Sequence, residues 1–235
     1  MPIRPATRSD LSHIFTLCSA AFFDEDLFGR VLHPHRQQYP EDVVLFWHGF
    51  VRDLWFNQRC RFWVSYEKGD GEEKVVGVGV WKRQGEGGKG MDLVSWDIRR
   101  ILPPLSSLYT ALTHYLHPSR ALAPQHLSIL TRSYPFIAHH WDGPRSEDWH
   151  LALLAVHPDH QGRGLGRELV AWGIEQADKE RLQASVLSSE GKEEFYLKCG
   201  FDEVVGNAAD GEGNPLAVEK VKGGSILFRW PRGEK

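Results

Sequence analysis

The stretch LALLAVHPDHQGRGLGRELVA, Leu151 to Ala171, decides the fold. Its first six residues, Leu151 through Val156, are apolar without a break, the pattern of a strand buried on both faces. His157-Pro158-Asp159-His160 stops the run, because proline donates nothing to a ladder and Pro-Asp opens turns. Gln161-Gly162-Arg163-Gly164-Leu165-Gly166 follows, and Leu165, Leu169 and Trp172 recur behind it at helical spacing. The reading is strand, tight glycine-rich loop, helix. Such a loop aims the first N–H groups of the helix outward with the positive end of the helix dipole behind them, which makes an anion site suited to phosphate.

Spacing narrows the ligand. A dinucleotide loop needs G-x-G-x-x-G, but counting from Gly162 the last place is Arg167, and from Gly164 it is Leu169. A P-loop needs a lysine that does not follow here. Gln161, Gly164 and Gly166 do fit Q/R-x-x-G-x-G/A. About thirty residues on, Phe195-Tyr196-Leu197-Lys198-Cys199-Gly200-Phe201 reads F-Y-x-x-x-G-F, with Gly200 placed to follow a helix C-cap. These two motifs, in this order, resemble the acetyl-CoA pyrophosphate loop and the tyrosine signature of the GNAT N-acetyltransferase superfamily. The opening I-R-P-A-T-x-x-D resembles the first strand and helix start of many members. The clear resemblance covers Trp149 to Val205, with a looser one over the first eighty residues and the last strand.

The resemblance implies an α/β (α+β) GNAT fold. Its sheet is mixed and mostly antiparallel, splayed at the fourth and fifth strands, with helices on both faces and an insertion after the third strand. It implies acetyl-CoA as cosubstrate and no metal. Backbone groups of Leu154, Ala155 and Val156 would hold the pantetheine arm. The N–H groups from Gln161 through Gly162, Arg163, Gly164, Leu165 and Gly166 would hold the pyrophosphate, with Arg163 or Arg167 near the phosphates and Ser189, in the turn after the following strand, also on the cofactor. Tyr196 matches the tyrosine that serves as general acid. For the general base, the serotonin N-acetyltransferases read H-L-H-V-L-A-V-H in the matching segment. His150 takes the place of the first histidine there and Ala152 that of the second, so half of a two-histidine water route is present. His150, Glu147 and Asp148 are the candidate bases.

Composition bounds the alternatives. The chain has 235 residues, 41% of them apolar with nine tryptophans, enough for one domain with a sizeable core. A net charge of −3 offers no basic face to nucleic acid or acidic lipid. Three scattered cysteines, Cys18, Cys60 and Cys199, without a C-x-x-C pair argue for a reducing compartment. The polar opening MPIRPATRSD predicts no signal peptide, and no apolar run is long enough to span a bilayer. A cytoplasmic or nuclear protein is expected, not a secreted one, without membrane or nucleic-acid partners, as monomer or homodimer.

In chain order, a short strand at 2–7 precedes a helix capped by Ser9, and a second helix starts at Pro40-Glu41 with Val43, Trp47, Phe50, Val51 and Leu54 on one stripe. Arg61–Tyr66 and Lys74–Trp81 predict a hairpin around Gly69-Asp70-Gly71. Gly85 to Gly90 reads as a flexible linker. From 91 to about 123 the pattern is helical, interrupted by Pro103-Pro104. The span 85–148 is an insertion far beyond ordinary loop length and a candidate wall of the acceptor site. A helix to about Arg181, a strand Ala184–Leu187, a short helix to Cys199, strands Asp202–Val205 and Ser225–Trp230, and a polar loop at 206–224 complete one domain over 1–235.

Other constellations carry less. His139-His140-x-Asp142 and His157-Pro158-Asp159-His160 lack a matching ligand set, and twelve histidines make such clusters expected by chance. No G-x-S-x-G elbow is present. The expected reaction is acetyl transfer to a primary amine, a small molecule in preference to a peptide. A non-catalytic acyl-CoA-binding module is the reading of another class.

Overall fold

A computed structural model describes residues 2–68, 73–94 and 97–232. The expected turn at Gly69-Asp70-Gly71 lies outside the described residues. Among the described residues seven strands form one sheet: β1 (Ile3–Pro5), β2 (Cys60–Lys68), β3 (Glu73–Arg83), β4 (Asp148–Val156), β5 (Gln183–Ser189), β6 (Glu203–Asn207) and β7 (Gly223–Arg229). Their order is β1-β2-β3-β4-β5-β7-β6, and every neighbouring pair is antiparallel except β4 with β5. This is the mixed, splayed sheet the motifs predict.

Two local features of β4 shape everything downstream. It pairs with β5 only from Asp148↔Gln183 to Leu151↔Val186, so the strands part beyond Leu151 and leave backbone groups without ladder partners. Against β3, Leu151 faces Trp81 while Leu153 faces Val80, which makes Ala152 a bulge residue. One extra residue reverses the side-chain alternation. Trp149 and Leu151 therefore share one core with Trp81, Val186 and Leu227, whereas Leu153 and Ala155 enter another with Ile14, Trp47 and Val78.

Helices α1 (Leu11–Ala21) and α2 (Val43–Phe56) cover that second face, as their apolar stripes dictate. Between them runs a π-helical segment, Asp26–Val31, capped by the Glu25 side chain. After β3 come α3 (Gly85–Lys89), α4 (Leu102–Leu116) and α5 (Ile129–Ile137). The opposite face of the sheet is covered by α6 (Leu165–Glu180) and α7 (Glu193–Cys199), and α8 (Pro215–Val218) lies beside α5. Leu227 points to the α6 side while Ile226 and Phe228 pack with Ile129, Ile137 and Leu216. The insertion thus roofs the β5–β7 end of the sheet on the α1–α2 side.

Three expectations are corrected. Gly85–Lys89 is a helix, not a flexible linker, because the Glu147 carboxylate reaches back to accept the N–H groups of Glu86 and Gly87. Pro103-Pro104 does not interrupt its helix but sits in the first turn of α4, where no N–H is needed. The loop at 206–224 contains α8, started by Asn214, whose side chain accepts the Leu216 N–H.

α6 crosses the sheet closely at Gly173. A Cβ there would lie 2.0 Å from Trp81 Cε2. The indole cannot retreat, being fully buried with Nε1–H donating to the Leu169 carbonyl at 3.1 Å. Alanine would gain about 1 kcal/mol of helix propensity, but overpacking against a rigid ring costs on the order of 3 kcal/mol. Sterics win. Gly173→Ala is expected to lower the urea midpoint without changing the slope of the transition.

Candidate functional site

The parting of β4 and β5 opens a cleft of about 1110 Å³. Leu154, Ala155 and Val156 line it from the open end of β4, with Ser189 from β5, Ala20, Ala21 and Phe22 from the end of α1, and Phe195 and Tyr196 from α7. The glycine-rich loop forms its floor: Gln161, Gly162, Gly164, Leu165, Gly166 and Arg167 all line it. Gly162 and Gly164 have φ of 76° and 84°, left-handed values that a side chain resists. This turn brings the N-terminal N–H groups of the 16-residue α6 to face the cleft. Gln161 Nε2 donates to the Val156 carbonyl at 3.1 Å, fixing the loop to the strand end.

Arg163 stands apart from this set. Its guanidinium donates to Glu67 Oε1 and to the Asp159 carbonyl, both at 3.0 Å, and Glu67 also meets His160 Nδ1 at 2.9 Å. Arg163 therefore anchors the loop to β2, and Arg167 is the arginine beside the cleft. Two further cations line it, Lys192 and Lys222, from the segments after β5 and before β7. No motif marks them, because only folding brings those segments beside the loop. The acidic run Asp24, Glu25 and Asp26 lines the cleft as well. Burial pushes the Glu25 carboxyl up, against the pull of the Phe28 N–H and the Ser189 hydroxyl.

Where β4 and β5 still pair, outside the residues that line the cleft, three polar side chains meet. Asp148 and Ser185 are fully buried, and His150 is partly buried. The Ser185 hydroxyl donates to Asp148 Oδ2, and His150 Nδ1 lies 2.8 Å from Ser185 Oγ. Trp141, delivered by the insertion, donates its Nε1–H to the same Oγ at 3.1 Å, and its ring meets the His150 ring edge-on with centroids 5.9 Å apart. A hydroxyl has one proton and two lone pairs. With the proton on Asp148 and one lone pair taken by Trp141, the other takes Nδ1–H of His150. Nε2 is then the acceptor nitrogen of the neutral ring.

The electrostatics of the chain of three are unequal. Burial pushes the His150 imidazole down to about 4, and the Lys82 ammonium on the neighbouring strand adds to it. Burial pushes the Asp148 carboxyl up to about 7, against the pull of Ser185, Trp141 and Arg83. Asp148 Oδ1 has no hydrogen-bond partner among the described residues. A proton reaching this chain would be poorly held on the ring and better held on the carboxyl.

Glu147, next in sequence, belongs elsewhere. It is paired with Arg83 at 2.7 Å while capping α3, and Arg83 in turn meets Glu180 at 2.8 Å. Its carboxyl is held below the usual range by Arg83 and the Glu86 N–H, which outweigh its burial. A carboxylate so held is a poor base. Tyr196 is buried at the cleft wall, where burial pushes its phenol up and keeps it protonated. Its ring packs edge-on against Phe195 and Phe201. Among the described residues no group of three or more His, Cys, Asp or Glu side chains is gathered as a metal site. No helix among them is long and apolar enough to cross a membrane.

Comparison with known proteins agrees with this geometry. The family model for the acetyltransferase (GNAT) domain matches residues 136–203, which span Trp141, β4, the loop, α6, β5 and α7. An acetyltransferase of Stachybotrys chartarum is 26% identical over 209 residues, covering 87% of this chain and 81% of the relative. The fold is similar to a crystal structure from Corynebacterium glutamicum described as histone acetyltransferase HPA2 and related acetyltransferase. That likeness has a TM-score of 0.57 at 17% identity and covers 99% of this chain and 97% of the other. The family match falls on the cleft itself and the relative runs along most of the chain, so residues 136–203 are similar to the acetyltransferase (GNAT) domain and the chain as a whole resembles an acetyltransferase.

Proposed function

We propose that the chain transfers the acetyl group of acetyl-CoA to a primary amine of a small molecule by direct attack. The observation that carries this reading is the cleft opened by the parting of β4 and β5, with an anion loop and Arg167 along it and Tyr196 in its wall; the hydrogen-bonded chain His150–Ser185–Asp148 lies further along the same two strands, where they still pair. The N–H groups of the loop and Arg167 hold the pyrophosphate of acetyl-CoA, with Lys192 and Lys222 as further counter-charges. The free backbone of Leu154 to Val156 holds the pantetheine arm and polarises the thioester carbonyl. Asp24 and Glu25 attract the acceptor as its ammonium form, which supports a small cationic amine over a peptide.

The acceptor reacts as the neutral amine. Its nitrogen attacks the carbonyl carbon and the carbon–sulfur bond breaks. The amine proton passes, through one water, to His150 Nε2. Nδ1 releases a proton to Ser185 Oγ, whose own proton moves to Asp148. Charge never rests on the ring: the final state is neutral imidazole and neutral carboxyl. Tyr196 donates its phenolic proton to the departing thiolate. Glu147 and Arg163 have no part in the chemistry; they brace α3 and the loop.

Thiol release from acetyl-CoA over a panel of aryl- and alkylamines tests the reaction. Activity with at least one small amine is expected. Acetylation of peptides alone would transfer the reading to a peptide acetyltransferase, and binding without turnover would favour a regulatory module. Tyr196→Phe keeps the ring packing and removes only the hydroxyl, so kcat is expected to fall about 10²-fold at unchanged acetyl-CoA affinity. An unchanged kcat would remove Tyr196 from the mechanism.

A further inference from the structure

Helix α4 is the least covered element of the insertion. It rests on α2 through Ser106, which is buried, and through Thr110, whose methyl group approaches Gly49; Tyr109 lies under the Arg52 guanidinium at 4.9 Å. Among the described residues nothing covers the other side. Ile101 is 51% exposed, Leu105 52%, Leu108 65%, Leu112 52% and Tyr115 83%. Steps of four, three, four and three place these five on one stripe, the spacing of a helix–helix seam. The stripe is about 21 Å long at 1.5 Å per residue.

We propose that this stripe is a dimer interface, occupied by α4 of a second copy of the chain in antiparallel register. Three features of the stripe single out that occupant. It is self-complementary about Leu108: a two-fold axis there sets Leu105 against Leu112 and Ile101 against Tyr115, as an isologous contact demands. Leu102 to Leu116 holds no Asp, Glu, Lys or Arg, so two copies meet without like-charge repulsion and the helix offers an anionic lipid surface no cation. The area also suffices. Side chains of this size carry roughly 200 Å² each, so covering the stripe removes on the order of 1,200 Å² over both copies, at the lower bound of stable interfaces. Left bare in a monomer, an apolar patch of this size is unusual.

The stripe lies on the side of α4 away from α2, so the loop, Tyr196 and His150 stay outside the contact. Sedimentation velocity from 1 to 100 μM separates a dimer from the 26.8 kDa chain. Wild type is expected to sediment at twice the chain mass. Leu108→Glu, which sets two carboxylates on the axis, is expected to be monomeric while retaining acetyl-CoA binding and melting temperature. Leu108→Cys is expected to form an intermolecular disulfide under mild oxidation, since the axis brings residue 108 against itself. A monomeric wild type at 100 μM overturns the proposal, whether or not it floats with phosphatidylcholine vesicles. A dimer that survives Leu108→Glu, with no cross-link formed by Leu108→Cys, overturns it as well by placing the interface elsewhere.

Discussion

Asp148→Asn is expected to lower kcat by about 10²–10³, within the range that one acid–base group supplies, and to abolish a rise in rate centred near pH 7. The expectation follows from where the proton comes to rest. Burial holds the His150 ring near 4, too acidic to keep the amine proton, and lifts Asp148 to about 7. In the proposed mechanism Asp148 must be ionised before turnover, so kcat/KM is expected to climb as pH passes 7 and then level. Asparagine still accepts the Ser185 hydroxyl but takes no proton, and the limb disappears. Ser185→Ala severs the link and is expected to behave alike. Stability separates this role from a structural one. A carboxyl whose folded pKa lies above its ordinary 3.8 is stabilising when protonated, and loses roughly 1.4 kcal/mol per pH unit as pH rises from about 4 to about 7. At pH 8 that cost is complete and the amide carries none. The asparagine variant should therefore melt no lower than wild type at pH 8. A variant that melts lower and keeps its pH limb would leave Asp148 as packing alone.

Gly164→Glu is expected to weaken acetyl-CoA about 10³-fold or more by calorimetry, while Gly164→Ala weakens it only several-fold. Both residues must adopt φ of 84°, a strain of about 1–2 kcal/mol common to the two variants. Neither clashes, since a Cβ at this position meets nothing within 4 Å. The difference is charge. A carboxylate about 4 Å from a phosphate oxygen is repelled by about 4 kcal/mol at an effective dielectric near 20, and it competes for the same N–H groups. Equal losses in the two variants would mean that loop shape matters and pyrophosphate does not sit there.

The part of the fold readable from sequence is the part set by neighbours along the chain. An unbroken apolar run, a proline stop, glycines and a helical period are local, and they place β4, the loop and α6 correctly. Tyr196, singled out by its spacing to Gly200, lines the cleft. What escapes is set by distant partners. Gly85–Lys89 contains nothing that favours a helix, and its cap comes from Glu147, some sixty residues on. Glu147 and Asp148 look equivalent as adjacent carboxylates, yet they take opposite sides of the strand. One meets Arg83; the other is sealed beneath Ser185 and Trp141. Ser185 carries no signal of its own in a strand that holds two other serines. Lys192, Lys222 and the acidic run at 24–26 gain meaning only when three separate loops converge on the cleft.

Trp141 gives the insertion a consequence for anyone wishing to retarget the proposed activity. The natural experiment is to graft the segment from a relative as a cassette, treating acceptor preference as portable and chemistry as housed in the strands. The indole at its far end breaks that division, because it holds the Ser185 hydroxyl through which the proposed proton route runs. A graft that runs through residue 148 imports a foreign donor and a foreign carboxyl together. One that stops at Ile137 leaves Trp141 and Asp148 native, so selectivity can be exchanged while the proton route stays in place.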